Sequence, residues 1–178
     1  MLGTMITRSS PYHASMRSSA FTFSAFFLSG VILAQQDSLP PVNKGVVDFV
    51  REHLGEKVGR GECWDLAAEA LNVAGAKWDG DYGFGRKIDP GNEPVFPGDI
   101  VQFERVEFRW EVGNEVHAIR MPHHTAVVLE VPGQGGRATD AYFIAQQNTQ
   151  ETGRKTGTGE MLLSRRSKGR IVFFRPVE

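Results

Sequence analysis

Cysteine is almost absent from this chain: Cys63 is the only one in 178 residues, so no internal disulfide can close. An excess of either charge is missing as well. With 20 Lys+Arg against 21 Asp+Glu, the chain lacks the bulk attraction that nucleic acids or anionic membranes require. Glycine-rich phosphate loops, a Gly-x-Ser-x-Gly elbow and recognisably spaced pairs of acids do not occur. His117, His123 and His124 cluster in sequence, but adjacent histidines on a strand diverge and no second cysteine is present. No metal and no cofactor are therefore expected. Internal repeats and low-complexity blocks are absent too.

One hydrophobic run is present. Residues 18–34 carry no charge, Arg17 precedes them, and no acid occurs before Asp37. The run is shorter than the ~20 residues of a membrane-spanning helix, which gives it the layout of a secretory signal. The expectation is export to a periplasmic or extracellular location, with cleavage after Ala34 and Met16 as an alternative start. An uncleaved membrane anchor is the other option; after cleavage no stable membrane insertion is expected. Residues 35–41 read as a linker and 42–178 as a single domain, with 18 Lys+Arg against 21 Asp+Glu, a net of −3, after the cut.

The domain begins helical and ends in strands. Val46, Val47, Val50 and Leu54 form an apolar stripe that stops at Gly55. A second helix opens at Cys63, where Leu66, Ala67, Ala70, Leu71 and Ala74 continue the buried stripe to a stop at Gly75, while Asp65, Glu69 and Asn72 mark the other face. Residues 76–96 are irregular. Strands are expected at 99–103, 106–110, 124–131, 142–147, 160–164 and 171–174, with turns at Gly113-Asn114 and Gly133-Gln134-Gly135-Gly136. The basic cluster 165–170 reads as a solvated hairpin tip. Helices first and strands afterwards mean an α+β fold with an antiparallel sheet of about five to six strands.

A thiol at a helix N-terminus sits among unpaired N–H groups at the positive end of the helix dipole, which favours thiolate. Such a nucleophile needs a base, and the base needs an orienting group. His123 and His124 open the apolar strand Thr125-Ala126-Val127-Val128-Leu129 and point to opposite faces, so only one can meet Cys63. Both faces are equally apolar, and alternation alone does not choose. On the following strand Gln146 and Asn148 share a face while Gln147 takes the other; Gln146 or Asn148 could orient an imidazole. Trp64, Trp78, Tyr82, Phe84 and Trp110 are candidates for a substrate groove, or for cover over the core.

Four motifs occur in order: Gly61-Glu62-Cys63-Trp64, Pro97-Gly98-Asp99-Ile100-Val101, His124-Thr125-Ala126-Val127-Val128 and Gln146-Gln147-Asn148. Together they resemble the CHAP and NlpC-type cysteine hydrolases of papain-like plan. With Arg175-Pro176 they resemble more closely the cysteine-proteinase-fold domain of fungal actin-patch proteins that interact with myosin tails. The resemblance implies Cys63 as nucleophile, His124 as base, Asn148 as orienting group and Asp99 as a structural turn cap. It implies a thiol hydrolase acting on an amide bond of a peptide or peptidoglycan-like substrate; the alternative is a binding module with weak or no catalysis. Glu62 stands where CHAP domains commonly carry glutamine, and Gln146 where many carry glutamate. An ionised Glu62 cannot donate to an oxyanion and would repel it.

Overall fold

The computed structural model describes residues 39–133 and 141–178. The expected signal, its cleavage point and most of the Gly133–136 turn lie outside the described residues. Among the described residues, no helix is long and apolar enough to cross a membrane.

Proline fixes the first helix at its start. Pro41, at the first position of α1 (Pro41–Glu52), lacks only an N–H that the first turn leaves unpaired anyway. Val42, Val46, Val47 and Val50 are buried on its inner side. The second helix, α2 (Cys63–Val73), follows an extended Glu62 and buries Leu66, Ala67, Ala70 and Leu71 completely. Those alanines let helix and sheet approach closely.

The strands are β1 (Arg86–Ile88), β2 (Ile100–Val112), β3 (Glu115–Glu130), β4 (Ala141–Gln146), β5 (Gly157–Leu162) and β6 (Arg166–Arg175). They form one six-stranded sheet in the order β1-β6-β2-β3-β4-β5, with every neighbouring pair antiparallel. The α+β, papain-like class stands, with both helices on one face. On that face Val46, Val50, Leu66, Ala67, Ala70 and Leu71 pack with Ile100, Val127, Leu129, Ala145 and Phe174. The opposite face has its own core of Val101, Phe103, Val106, Phe108, Ala126, Val128, Tyr142, Ile144, Met161 and Phe173.

Several local expectations are corrected. The strands read at 99–103 and 106–110 are one strand, and the charged stretch around His117 belongs to β3, so β2 and β3 form a long hairpin closed by Gly113-Asn114. Of those two turn residues only Gly113 has positive φ, at 60°, as a type II′ turn requires. The basic cluster is no hairpin tip: Arg166 to Arg170 lie within β6, where Lys168 and Arg170 pair with Glu107 and Glu104 of β2. β1 is an edge strand that its three residues were too few to announce, and β5 begins at Gly157, earlier than the pattern suggested. Asp65 is buried, not on the exposed side of α2.

A crease crosses the middle of the sheet. Phe103 and Val106 lie on the same face although odd spacing should separate them, because Arg105 takes a φ of 52° and resets the alternation. The β2–β6 register shifts between Glu104 and Glu107, and Gly169 of β6 meets this point so closely that a Cβ there would collide with the Arg105 carbonyl. On β3 the equivalent position is Pro122, between His123 opposite Glu104 and Met121 opposite Val106.

Candidate thiol site

Cys63 is half-buried at the first position of α2. The loop before it is held from two sides. The Asp65 carboxylate accepts the N–H of Arg60 at 2.7 Å and that of Glu62 at 3.2 Å, and pairs with the Arg60 guanidinium at 3.0 Å. Burial pushes the Asp65 carboxyl up, but Arg60 and these N–H donors outweigh it and hold the group below the usual carboxylate range. From the sheet, the Gln147 side-chain amide donates to Glu62 O at 2.6 Å and to Val58 O at 3.0 Å, while its oxygen accepts from Val58 N–H at 3.3 Å. Gln147 is fully buried. The alternation that set it on the other face from Gln146 was the available signal for this brace.

The two histidines divide as alternation requires, and the faces can now be named. Val127 and Leu129 pack with α2, whereas Ala126 and Val128 belong to the opposite core. His124 goes with the latter pair. Its ring lies 5.8 Å from that of Phe103, and its Nε2 hydrogen-bonds the Gln146 amide oxygen at 2.9 Å. Burial pulls its pKa down and outweighs Gln146, which pulls the other way, and His123 adds to the lowering. His123 is the histidine on the helix-covered side. Its ring meets the edge of Tyr82 at 4.5 Å, and Tyr82 in turn packs on Phe84 of the helix-side core at 6.1 Å. The Tyr82 hydroxyl is pushed above its ordinary pKa by burial, then by the charges of Cys63 and Asp81.

Asn148 does not meet the imidazole. It is exposed, has a φ of 61°, and its amide donates to the Glu62 carboxylate at 2.7 Å. Arg154 reaches the other Glu62 oxygen at 3.1 Å. Of the two amides weighed from the sequence, Gln146 is the one on His124, and Asn148 instead anchors the acid next to Cys63. Asp99 caps its turn as expected, accepting the Phe96 N–H at 2.8 Å, and is also fully buried against Arg175 at 2.8 Å.

The aromatic residues do not form one groove. Phe84 is completely buried, a correction to its place among groove residues. Trp64 and Trp78 lie against the same core with rings 5.6 Å apart, tied by hydrogen bonds to Asp81 O and Asn72 Oδ1. Trp110 belongs to the distal hairpin, stacked on His117 at 5.5 Å with the Arg165 guanidinium 5.2 Å from its ring. Tyr82 is 41% exposed and lies against His123.

Residues 41–178 match the family model of the AIM3/BBC1 cysteine proteinase-fold domain. A relative is altered inheritance of mitochondria protein 3 of Debaryomyces hansenii, 30% identical over an alignment of 154 positions that covers 74% of this chain. The match spans only 15% of that protein's length. Among solved structures, the crystal structure of Ly7917 is 21% identical with a TM-score of 0.44, covering 74% of this chain and 62% of that one. Ly7917 with the hydrolyzing product of MDP is 20% identical with a TM-score of 0.47, covering 77% and 63%. The match to the family model takes in both helices and the whole sheet, and the chain belongs to the AIM3/BBC1 cysteine proteinase-fold domain family.

Proposed function

We propose that this domain is an interaction module that keeps a cysteine-proteinase fold with little or no hydrolytic activity, rather than an exported hydrolase of cell-wall peptides. The observation that carries this reading is the use made of His124. A general base must reach the nucleophile's proton. His124 instead spends Nε2 on Gln146, on the sheet face away from the helix that Cys63 heads. The fixed Glu62 carboxylate adds to the case, since an anion at the head of α2 opposes both a thiolate and an oxyanion. The test is turnover of fluorogenic peptide amides and of muropeptides by the full chain against its Cys63→Ala variant. Equal, background rates are expected. Turnover that disappears in Cys63→Ala would overturn the reading.

One observation favours a second reading. His123 stands on the helix-covered face with its ring against Tyr82, so a thiol hydrolase built on this fold would use His123 rather than His124 as the base for Cys63. In that case turnover would be abolished by His123→Ala and preserved by His124→Gln.

A further inference from the structure

Glu107 gathers more positive charge than one carboxylate can neutralise. Val106 and Phe108 on either side of it point into the opposite core, so Glu107 points to the other face of β2. Arg120 stands across from it on β3, and its Nε donates to Oε2 at 3.0 Å. Lys168 stands across from it on β6, with Nζ 3.8 Å from the same oxygen. Arg109, two residues along β2, brings Nη1 to 3.9 Å from Oε1, which also accepts the Ser167 hydroxyl at 3.3 Å. The Glu107 side chain is 7% exposed, whereas those of Arg109, Arg120 and Lys168 are 53%, 79% and 69% exposed. The carboxylate is therefore a floor and the three cations are its rim.

Most of the donors on that rim are unspent. Arg109 and Lys168 stand beyond hydrogen-bond distance of Glu107, and among the described residues their head groups, like Nη1 and Nη2 of Arg120, donate to no other acceptor. Three cations over one carboxylate leave two positive charges unneutralised. Acids bound the cluster on this face: Glu104 is taken by Arg170 at 2.7 and 3.0 Å, and Glu111, two residues beyond Arg109, holds no cation among the described residues. A continuous anionic surface, such as a membrane or a nucleic acid, would press on Glu104 and Glu111 as well. A single compact dianion meets only the three cations.

We propose that Arg109, Arg120 and Lys168 bind the phosphate of a phosphorylated side chain carried by a segment of a partner protein. A phosphomonoester brings about −1.5 to −2 charges at neutral pH and three acceptor oxygens, which matches both the excess charge and the three head groups. The free Nη1 and Nη2 of Arg120 can take two of those oxygens in parallel, and the Lys168 ammonium acts as a point charge. An ordinary carboxylate supplies only half the charge. The basic run at 165–170 thus contributes one arm of an anion site through Lys168. This inference rests on the interaction-module reading and gives that module a ligand chemistry; none of the three residues takes part in the contacts around Cys63.

The experiment passes a peptide library with a fixed central phosphoserine and random flanks over the immobilised full chain, beside the same library with unmodified serine, and measures the recovered peptides by fluorescence polarisation. Phosphorylated members should bind about tenfold or more tighter than their unmodified counterparts, and the difference should shrink as salt rises. Arg120→Gln and Lys168→Gln, both at exposed side chains, should each weaken binding about tenfold, the scale of a lost charged hydrogen bond, at an unchanged thermal midpoint. Cys63→Ala should leave binding as it is. Titration of the isotope-labelled chain with inorganic phosphate needs no peptide sequence: the amide resonances of Arg109, Arg120 and Lys168 should shift in the parent and stay still in the double variant. Equal retention of both libraries, no shift of those resonances, or phosphopeptides that bind the double variant as tightly as the parent overturns the site while leaving the module reading standing. Binding to vesicles of phosphatidylinositol phosphates without any preference for phosphopeptides overturns the partner-protein source. Cys63-dependent turnover of amides would instead remove the module reading, whatever the phosphopeptides do.

Discussion

His124 Nε2 lies 2.9 Å from the Gln146 amide oxygen, and this contact faces away from the helix headed by Cys63. The imidazole is 7% exposed, and burial disfavours its cation more than the bond to the Gln146 amide favours it, so its pKa lies below the ordinary histidine range.

The first prediction concerns pH. The folded-state pKa of His124 is depressed, chiefly by burial, below the ~6.5 of an unfolded chain. Below that value the unfolded state binds the extra proton, so stability is complete at neutral pH and is lost as pH falls through the unfolded pKa toward the folded one. One such group steepens the loss by at most ~1.4 kcal/mol per pH unit. Chemical denaturation of the full chain and of His124→Gln at pH 7 and pH 5 should show the variant losing less stability on acidification. Parallel losses would mean that His124 titrates normally.

A second prediction separates the histidines through the thiol. Alkylation of Cys63 by iodoacetamide in the folded chain should respond to His123→Ala and to Tyr82→Ala, whose ring lies against His123, and be indifferent to His124→Gln. The Tyr82 ring packs on His123 at 4.5 Å, so its removal should free this histidine and speed the reaction. Mass spectrometry of the Cys63 peptide over time gives the rates. A strong effect of His124→Gln in a chain of unchanged thermal midpoint would put that imidazole back beside the sulfur.

Glu62 supplies a third. Its carboxylate is fixed by Asn148 at 2.7 Å and Arg154 at 3.1 Å, yet its side chain is 37% exposed, so solvent screens most of its field. Glu62→Gln should raise the alkylation rate about two- to threefold, the scale of a partly exposed charge. Increasing salt should narrow the difference between the two chains. An unchanged rate at low salt would show that the acid does not restrain the thiol.

Much of this architecture was legible in the residues, and its gaps have physical reasons. The stripes of both helices, the start of α2 at Cys63 and the class of the sheet follow from 3.6- and 2-residue periods. The choice between His123 and His124 did not follow, because β3 is buried on both faces and each set of alternating residues is equally apolar. The motif His-Thr-Ala-Val-Val favoured His124, whereas contacts with α2 favour the set that contains Val127. The crease was illegible for a related reason: Arg105 at a φ of 52° resets the alternation through a residue type that gives no sign of it. Gln147 drew attention only as one of three amides, yet it is the one that ties the Cys63 loop to the sheet.

The motif Pro97-Gly98-Asp99 yields the last prediction. Asp99 is fully buried and accepts from Arg175 at 2.8 and 3.1 Å, from Phe96 N–H at 2.8 Å and from Asn43 at 2.9 Å. It thereby joins α1, the start of β2 and the end of β6. Asp99→Ala strands the Arg175 guanidinium, itself only 12% exposed, and should cost about 3–5 kcal/mol. Arg175→Met leaves a buried carboxylate and should cost a similar amount. In the double variant neither charge is left unpaired, so the combined loss should fall well short of the sum of the two single losses. Denaturant unfolding of the four chains measures this coupling. Simple additivity would mean that Asp99 and Arg175 act independently, with solvent rather than each other satisfying their charges.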